Sequence, residues 1–382
     1  MVLCYNMGID PDEEDNMKFK AFLKKKDIEV SAKRYFIDAM SAMAHGLFAS
    51  LLIGTILKAI GLIPKLEIFA QIGGYAQAVA GPAMAVAIAN ALHAPAFVMY
   101  SAAAVGYAAN ALGGAGGPIA VFLITLIAVE LGKLVSKETK VDLIVTPFVT
   151  VVTGGLLSVL VAPFIGKLVG YLSQFIGWSM TQQPLILGLL VSVIMGVALT
   201  LPISSAAICA GLGLSGMAQL AADGSVIALN YEGLALAGGA AVAGCCAHMV
   251  GFAVMSFREN GVGGLVSQGI GTSMIQMPNL IKNPRLWIPP VLASAITGPL
   301  ATCVFELRMY GAAINSGMGT CGLLGPIGII LGWYSGSYPN KVELLDYIGL
   351  ILICIVLPAI LSLVFCEILR KIGWIKENDL KL

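Results

Sequence analysis

Residues 233–257 read GLALAGGAAVAGCCAHMVGFAVMSF, 25 residues without an Asp, Glu, Lys or Arg. A helix needs about 20 predominantly apolar residues to cross the hydrocarbon core of a bilayer, so this run is long enough to span. Around it, charge is absent from Ile68 to Val129, from Leu168 to Ala222 and from Met309 to Asn340. Only 11% of the 382 residues are charged and 58% are hydrophobic, whereas a soluble domain carries roughly 25% charged residues. The chain reads as an all-α polytopic integral membrane protein. A β-barrel is excluded because barrel strands alternate apolar and polar residues, while VFLITLIAVELG (121–132), apart from Glu130, and LILICIVLPAILSLVF (350–365) show no such alternation. The acidic, polar start MVLCYNMGIDPDEEDNMKFK has no basic region followed by an apolar core, so no cleavable signal is expected.

Basic residues set the expected orientation. Seven precede the first span (Lys18, Lys20, Lys24, Lys25, Lys26, Lys33, Arg34), three lie in 133–142 (Lys133, Lys137, Lys140) and four in the C-terminal stretch (Arg370, Lys371, Lys376, Lys381). The positive-inside rule then places both termini in the cytoplasm and the span count is even. About ten spans are expected: 37–60, 68–90, 96–112, 118–136, 143–164, 184–202, 233–257, 286–306, 311–333 and 345–370. Under this count Arg258, Lys282 and Arg285 fall outside, against the charge rule, and a pair of re-entrant hairpins resolves the conflict. Phe19, Phe22 and Leu23, opposite several lysines, suggest an amphipathic helix lying on the lipid surface. The expected divisions are a cytoplasmic segment 1–36, an N-terminal transmembrane half 37–165, a C-terminal half 166–373 that binds substrate, and a tail 374–382.

Non-helical backbone survives within a membrane only where protein or an aqueous cavity surrounds it. Three segments have that character. ANALGGAGGP (109–118) reads as close helix packing through small residues. The stretch 201–233 carries Ser204 and Ser205 after Pro202 and ends with Asp223, Asn230 and Glu232; its serines are placed to cap a half-helix. INSGMGTCGLLGP (314–326) offers Asn315, Ser316 and Thr320 among its glycines. The glycine-rich 257–290 reads as a membrane-level hairpin whose Gln268, Thr272, Ser273 and Gln276 face a polar cavity. His248 sits inside the 233–257 run and Glu306 ends a later one, next to Arg308; their i, i+2 spacing disfavours pairing on a helix. Eight cysteines without a C-x-x-C motif suggest no metal, no cofactor is expected, and the net charge of +1 gives no reason to expect nucleic acid.

HMVGFAVMSFRENGVGGLVSQGIGTSMIQMPNLIKNPRLWIPP (248–290), with GMGTCGLLGP (317–326), resembles the phosphotransferase-system (PTS) IIC-like membrane proteins of the perfringolysin-regulator (PfoR) type. The likeness runs from about 35 to 370. The resemblance implies a homodimer of ten spans with two re-entrant hairpins, as in the EIIC glucose superfamily, whose N-terminal spans form the dimer contact and whose C-terminal half carries a sugar. It nominates His248 and Glu306, with Glu232 competing, for the sugar hydroxyls; the broken segments by themselves add Ser204, Ser205, Asn230, Asn315 and Thr320 as candidate substrate-binding residues, and the hairpin adds Gln268. It also implies that IIA and IIB proteins phosphorylate the solute in trans, so this chain is expected not to be an enzyme. The expected function is a carrier of a small polar solute in the bacterial inner membrane. An ion-coupled carrier of a non-sugar solute, a ligand sensor and a channel remain the alternatives.

Overall fold

The structure is a computed structural model that describes residues 20–61, 65–216, 231–334, 338 and 341–382. Among them the regular structure is helical, without strands. Six helical runs are long and apolar enough to cross a bilayer, and one bent pair makes a seventh.

The first run is α1 (Arg34–Lys58). It is followed by α2 (Glu67–Ala78) and α3 (Ala80–Ala91), which bend by 48°. Gly46 faces the Ala83 carbonyl and Gly54 faces that of Gly73, so the pair returns antiparallel to α1. The 40-residue apolar run Ala96–Val135 is a hairpin. Gly114, at φ 51° and ψ −122°, breaks it into α4 (Ala96–Gly113) and α5 (Gly117–Val135), and Gly132 packs against Val98. Next, α6 (Asp142–Ser179) is 38 residues long, with Pro147 and Pro163 inside. It runs antiparallel to α5, Gly154 lying beside Ala128 and Gly116 beside Ile165. Its outer face (Leu156, Leu160, Phe164, Leu168) is exposed and apolar.

In the second half, α7 (Pro184–Thr200) and α8 (Ser205–Leu212) are short. The central helix is α9 (Glu232–Met255), which carries the run quoted above. Between α9 and α12 (Pro284–Cys303) lie α10 (Phe257–Val266) and α11 (Met277–Lys282). Then come α13 (Leu324–Trp333) and α14 (Leu344–Lys371). Gly244 of α9 meets the Ser192 carbonyl of α7, and Gly251 meets Ser362 of α14 and Pro290 of α12. Backbones approach this closely only where small residues line the contact.

Contacts sort the charges onto one end of the bundle. Arg34 bonds Asp27 at 2.8 Å and the Leu92 carbonyl at 2.8 Å. Buried Lys133 donates to the carbonyls of Asp27 at 2.6 Å and Leu92 at 2.8 Å, and Lys26 pairs with Glu138 at 2.5 Å. At the same end Arg258 meets Glu367 at 2.9 Å and Arg370 meets Glu259 at 2.6 Å. One apolar cluster joins the two groups, running from Ala39 and Leu92 to Leu286, Ile375 and Leu380. Arg258, Lys282 and Arg285 therefore lie on the side of both basic segments, not opposite them as the count of ten implied. The other end holds Lys58, Lys65, Lys167, Arg308 and Lys341.

Two outcomes follow. An alanine Cβ at position 244 would lie 1.8 Å from the Ser192 carbonyl oxygen, whereas Gly155 has open space around it. Gly244→Ala should cost about 1–3 kcal/mol or prevent folding, and Gly155→Ala should be neutral or stabilising by about 0.5–1 kcal/mol; thermal unfolding in detergent checks both. The Arg34 guanidinium, aided by His93 and Lys133, holds the Asp27 carboxyl down to about 2 from 3.8. A depressed folded value gives stability that is complete above 3.8 and fades as pH falls towards about 2. Asp27→Asn should thus lower Tm at pH 6, and the gap from the native protein should narrow at pH 2–3. An equal gap at both pH values contradicts this.

Candidate functional site

Three chain segments turn back near the middle of the bundle. The first is α7, which enters from the less basic end and stops at Thr200. There Pro202 and the extended backbone of Leu201 prevent continuation. After the turn, Ser204 donates its N–H to the Ala115 carbonyl at 2.8 Å, and its hydroxyl caps α8 by accepting from the Ala207 N–H at 3.2 Å. The second segment enters from the basic end through α10 and a π-turn at Ser267–Gly271. It reverses at Thr272, which is extended, and leaves through Ser273–Gln276 and α11.

The third segment, 304–333, enters from the less basic end as extended chain. Met309 donates to the Ala235 carbonyl at 2.8 Å and accepts from the Gly216 N–H at 2.8 Å. It reverses at Gly319 and Gly322, with φ of 51° and 53°. At Gly319 a side chain would also lie 2.8 Å from the Cys245 backbone, so glycine is required twice over. Leu323, at φ 59°, is the strained residue before α13 carries the chain back.

Hydroxyls tie these turns together. Ser205 donates to the Gly317 carbonyl, Ser316 to that of Leu214 and Ser215 to that of Gly311, each at 2.7 Å. Thr320 donates to the Gly269 carbonyl, joining the loops from opposite ends.

A cavity of about 190 Å³ lies where the turns converge. The N-terminal half contributes Leu47, Leu51, Leu52, Gln77, Met84 and Asn110; the C-terminal half contributes Leu199, Ile203, Ser204, Ser205, Thr272, Met274, Met318 and Cys321. No charged residue lines it. Its polar groups are Gln77, Asn110, Ser204, Ser205 and Thr272, and the Gln77 amide donates to Thr55 at 2.9 Å. This is smaller than the roughly 300–1,000 Å³ of drug-sized sites and suits a small neutral solute.

Ser204 and Ser205 line the cavity, and Thr320 is buried beside it between two lining residues. His248 lies one layer behind. Its Nδ1 is 3.0 Å from the Thr200 hydroxyl, which is 2.9 Å from the Ser273 hydroxyl; Thr200 and Ser273 neighbour the lining residues Leu199, Thr272 and Met274. His248 Nε2 has no hydrogen-bond partner among the described residues and abuts Gly196. The fully buried ring joins α7, α9 and the second segment.

Other nominated residues lie elsewhere. Glu306 is exposed and pairs with Arg308 at 2.8 Å. The expected i, i+2 obstacle assumed a helix, but the helix ends at Cys303 and Glu306 has φ 45°. Glu232 is exposed at the start of α9. Asn315 packs against Gly328, and Asn230 lies outside the described residues. Gln268 donates to Ser256 at 2.7 Å and accepts from Gln276 at 2.9 Å, so it belongs to an amide ladder and not to the cavity. In the same ladder Asn260 and Gln276 donate to the Leu380 carbonyl, Asn279 to that of Lys381 and Asn283 to that of Trp374. This segment of the hairpin therefore holds the C-terminal tail. Gln77 and Asn110 were not nominated from sequence. They are two of the four carboxamides (Gln71, Gln77, Asn90, Asn110) inside a 62-residue uncharged stretch (68–129), which was the available signal.

Residues 37–382 match the family model described as "Phosphotransferase system, EIIC". No curated protein matches the chain.

Replacing Thr200 by Val leaves His248 Nδ1 and the Ser273 hydroxyl short of a partner. The expected loss is about 1–3 kcal/mol, read as a lowered Tm, and Thr200→Ser should recover most of it. A Val variant as stable as the native protein would show that the chain of three groups bears no load.

Proposed function

The chain belongs to the phosphotransferase-system EIIC family and is a sugar-permease-like, multi-pass membrane transporter; on that premise we propose that it carries a small neutral carbohydrate in the central cavity. The carrying observation is the lining. It pairs neutral hydrogen-bonding groups with apolar walls and has no charged side chain. A sugar's hydroxyls need such donors and acceptors, whereas binding of a bare cation favours carboxylates or a ring of carbonyls. His248 positions the cavity wall through Thr200 and Ser273 instead of touching the solute. Glu306 and Glu232, both exposed, have no part in the proposed site.

The cavity straddles the seam between the N-terminal and C-terminal halves, so rocking one half against the other exposes it to either side. We place the basic end in the cytoplasm by the positive-inside rule, with both termini there and lipid against the outer face of α6. The contacts suggest eight crossings: α1, α2–α3, α4, α5, α6, α9, α12 and α14. The three mid-bundle turns are then re-entrant, and 184–202 and 311–333 stop short instead of spanning. The even count agrees with termini on one side. A homodimer in a bacterial cytoplasmic membrane, with phosphoryl transfer left to separate IIA and IIB chains, completes the proposal.

Thermal unfolding against a panel of sugars, sugar acids, nucleosides and ions tests it. At about 100 times Kd a ligand adds roughly 2.7 kcal/mol of stability. A sugar-dependent shift lost in Asn110→Leu and Thr272→Val supports the assignment. Shifts with ions alone, or with a different solute class, refute it.

A further inference from the structure

A second cavity, of about 230 Å³, lies in the seam between α1 and the loop 256–283. Ser41, Ala44, His45 and Phe48 line it from α1, and Ser267, Ile275 and Leu382 from the other side. The central cavity uses Leu47, Leu51 and Leu52 of the same helix. The second cavity is therefore one to two turns nearer the basic end, a vestibule in line with the first.

What separates the two is a contact of Phe48 and Leu52 on Gly271. A Cβ at position 271 would lie 3.1 Å from both side chains. Leu52 belongs to a small apolar cluster with Met249, Met318 and Cys321, apart from the larger cores, and Phe48 packs against it. Moreover, Phe48–Leu52 is a π-helical stretch within α1. Such widened turns are frequent at functional sites; others lie at Arg34–Ala39, Ser267–Gly271 and Leu352–Val356, and of these Ser267–Gly271 ends at the glycine that Phe48 meets. The opposite wall is pinned, because Asn260 on one arm of the loop and Gln276, Asn279 and Asn283 on the other bond the tail's carbonyls. Leu52 is buried in its cluster, whereas Phe48 is only half-buried at its edge, so Phe48 is the part of this barrier that packing and hydrogen bonds hold least.

We infer that Phe48 is a gate between the central cavity and the basic end. Seated on Gly271 it closes the seam; rotated away it joins cavity, vestibule and the basic face. The inference rests on the central cavity being the solute's site.

Cys321 lines the central cavity and is a buried native thiol. Its modification by a small charged methanethiosulfonate, added to one face of sealed vesicles at a time and read by peptide mass spectrometry, reports opening. Phe48→Ala should raise the Cys321 rate about tenfold or more, as a shift in gate population would, with reagent on the basic face and not on the other. Gly271→Val should leave Cys321 as protected as in the native protein. Phe48→Leu, a smaller truncation, serves if the alanine variant does not fold. A folded Phe48 variant whose Cys321 stays protected, or is modified equally from both faces, overturns the gate. If Cys321 opens but no sugar stabilises the protein, the gate stands and the carbohydrate assignment falls. If a sugar stabilises it and Cys321 stays closed, the gate alone falls.

Discussion

Unpaired backbone groups inside a membrane cost several kcal/mol each, and that penalty governs this structure. Full-length helices satisfy their own carbonyls, but three segments break off halfway. They survive because each supplies what another lacks. Ser205 covers Gly317, Ser316 covers Leu214, Ser215 covers Gly311 and Thr320 covers Gly269. The Ser204 N–H reaches across to the Ala115 carbonyl at the tip of the α4–α5 hairpin. The turns are mutually dependent, and the cavity is the space left at their junction.

Close packing makes that junction possible. Gly239 lets the extended chain at Leu307 lie against α9, and Gly244 lets α7 do the same. With α9 almost wholly buried, its single imidazole serves as a joint between α7 and the basic-end loop. Hydrogen bonds between membrane helices are worth only about 0.6–2 kcal/mol. The joint therefore orients the wall more than it holds the bundle together. The more demanding polar investment is at the basic end, where Arg34, Lys133 and Arg370 are largely buried with carboxylate or carbonyl partners. Breaking a buried pair strands a charge, so this end is the rigid one, and the tail's bonds to four carboxamides extend that rigidity to the cavity's loop.

Much of this was legible beforehand. Uncharged runs of known length identify spanning helices because bilayer thickness is fixed, and the helical starts and stops of α2–α3, α4, α5 and α14 fall close to the expected ranges. Ser204, Ser205 and Thr320, which the fold brings to or beside the cavity, were legible as residues of broken helices because small hydroxyl residues beside glycine and proline mark such breaks. His248 was legible as buried and polar, but not as standing behind the wall. Glu306 ends an apolar run in sequence, but its exposed place beside Arg308 was not legible, because the helix beneath it stops at Cys303. The partners of Gln268 were not legible, because a carboxamide at that depth can serve another segment as readily as a cavity, and here it bonds Ser256 and Gln276 in the ladder that reaches the tail.

The sequence by itself determined the helical membrane class, the approximate spans and the gathering of positive charge, since these depend on composition and on periods local to each segment. It also marked where helices break. Only the tertiary structure decided which breaks meet, that Arg258 and Arg285 share an end with Arg370, and that Gln77 and Asn110 face Ser204 and Thr272 across one cavity. Those facts depend on contacts between residues far apart in sequence, from 51 positions for Thr320 and Gly269 to 112 for Ser205 and Gly317. A side chain's neighbours there are set by how whole helices pack, and no local pattern encodes that.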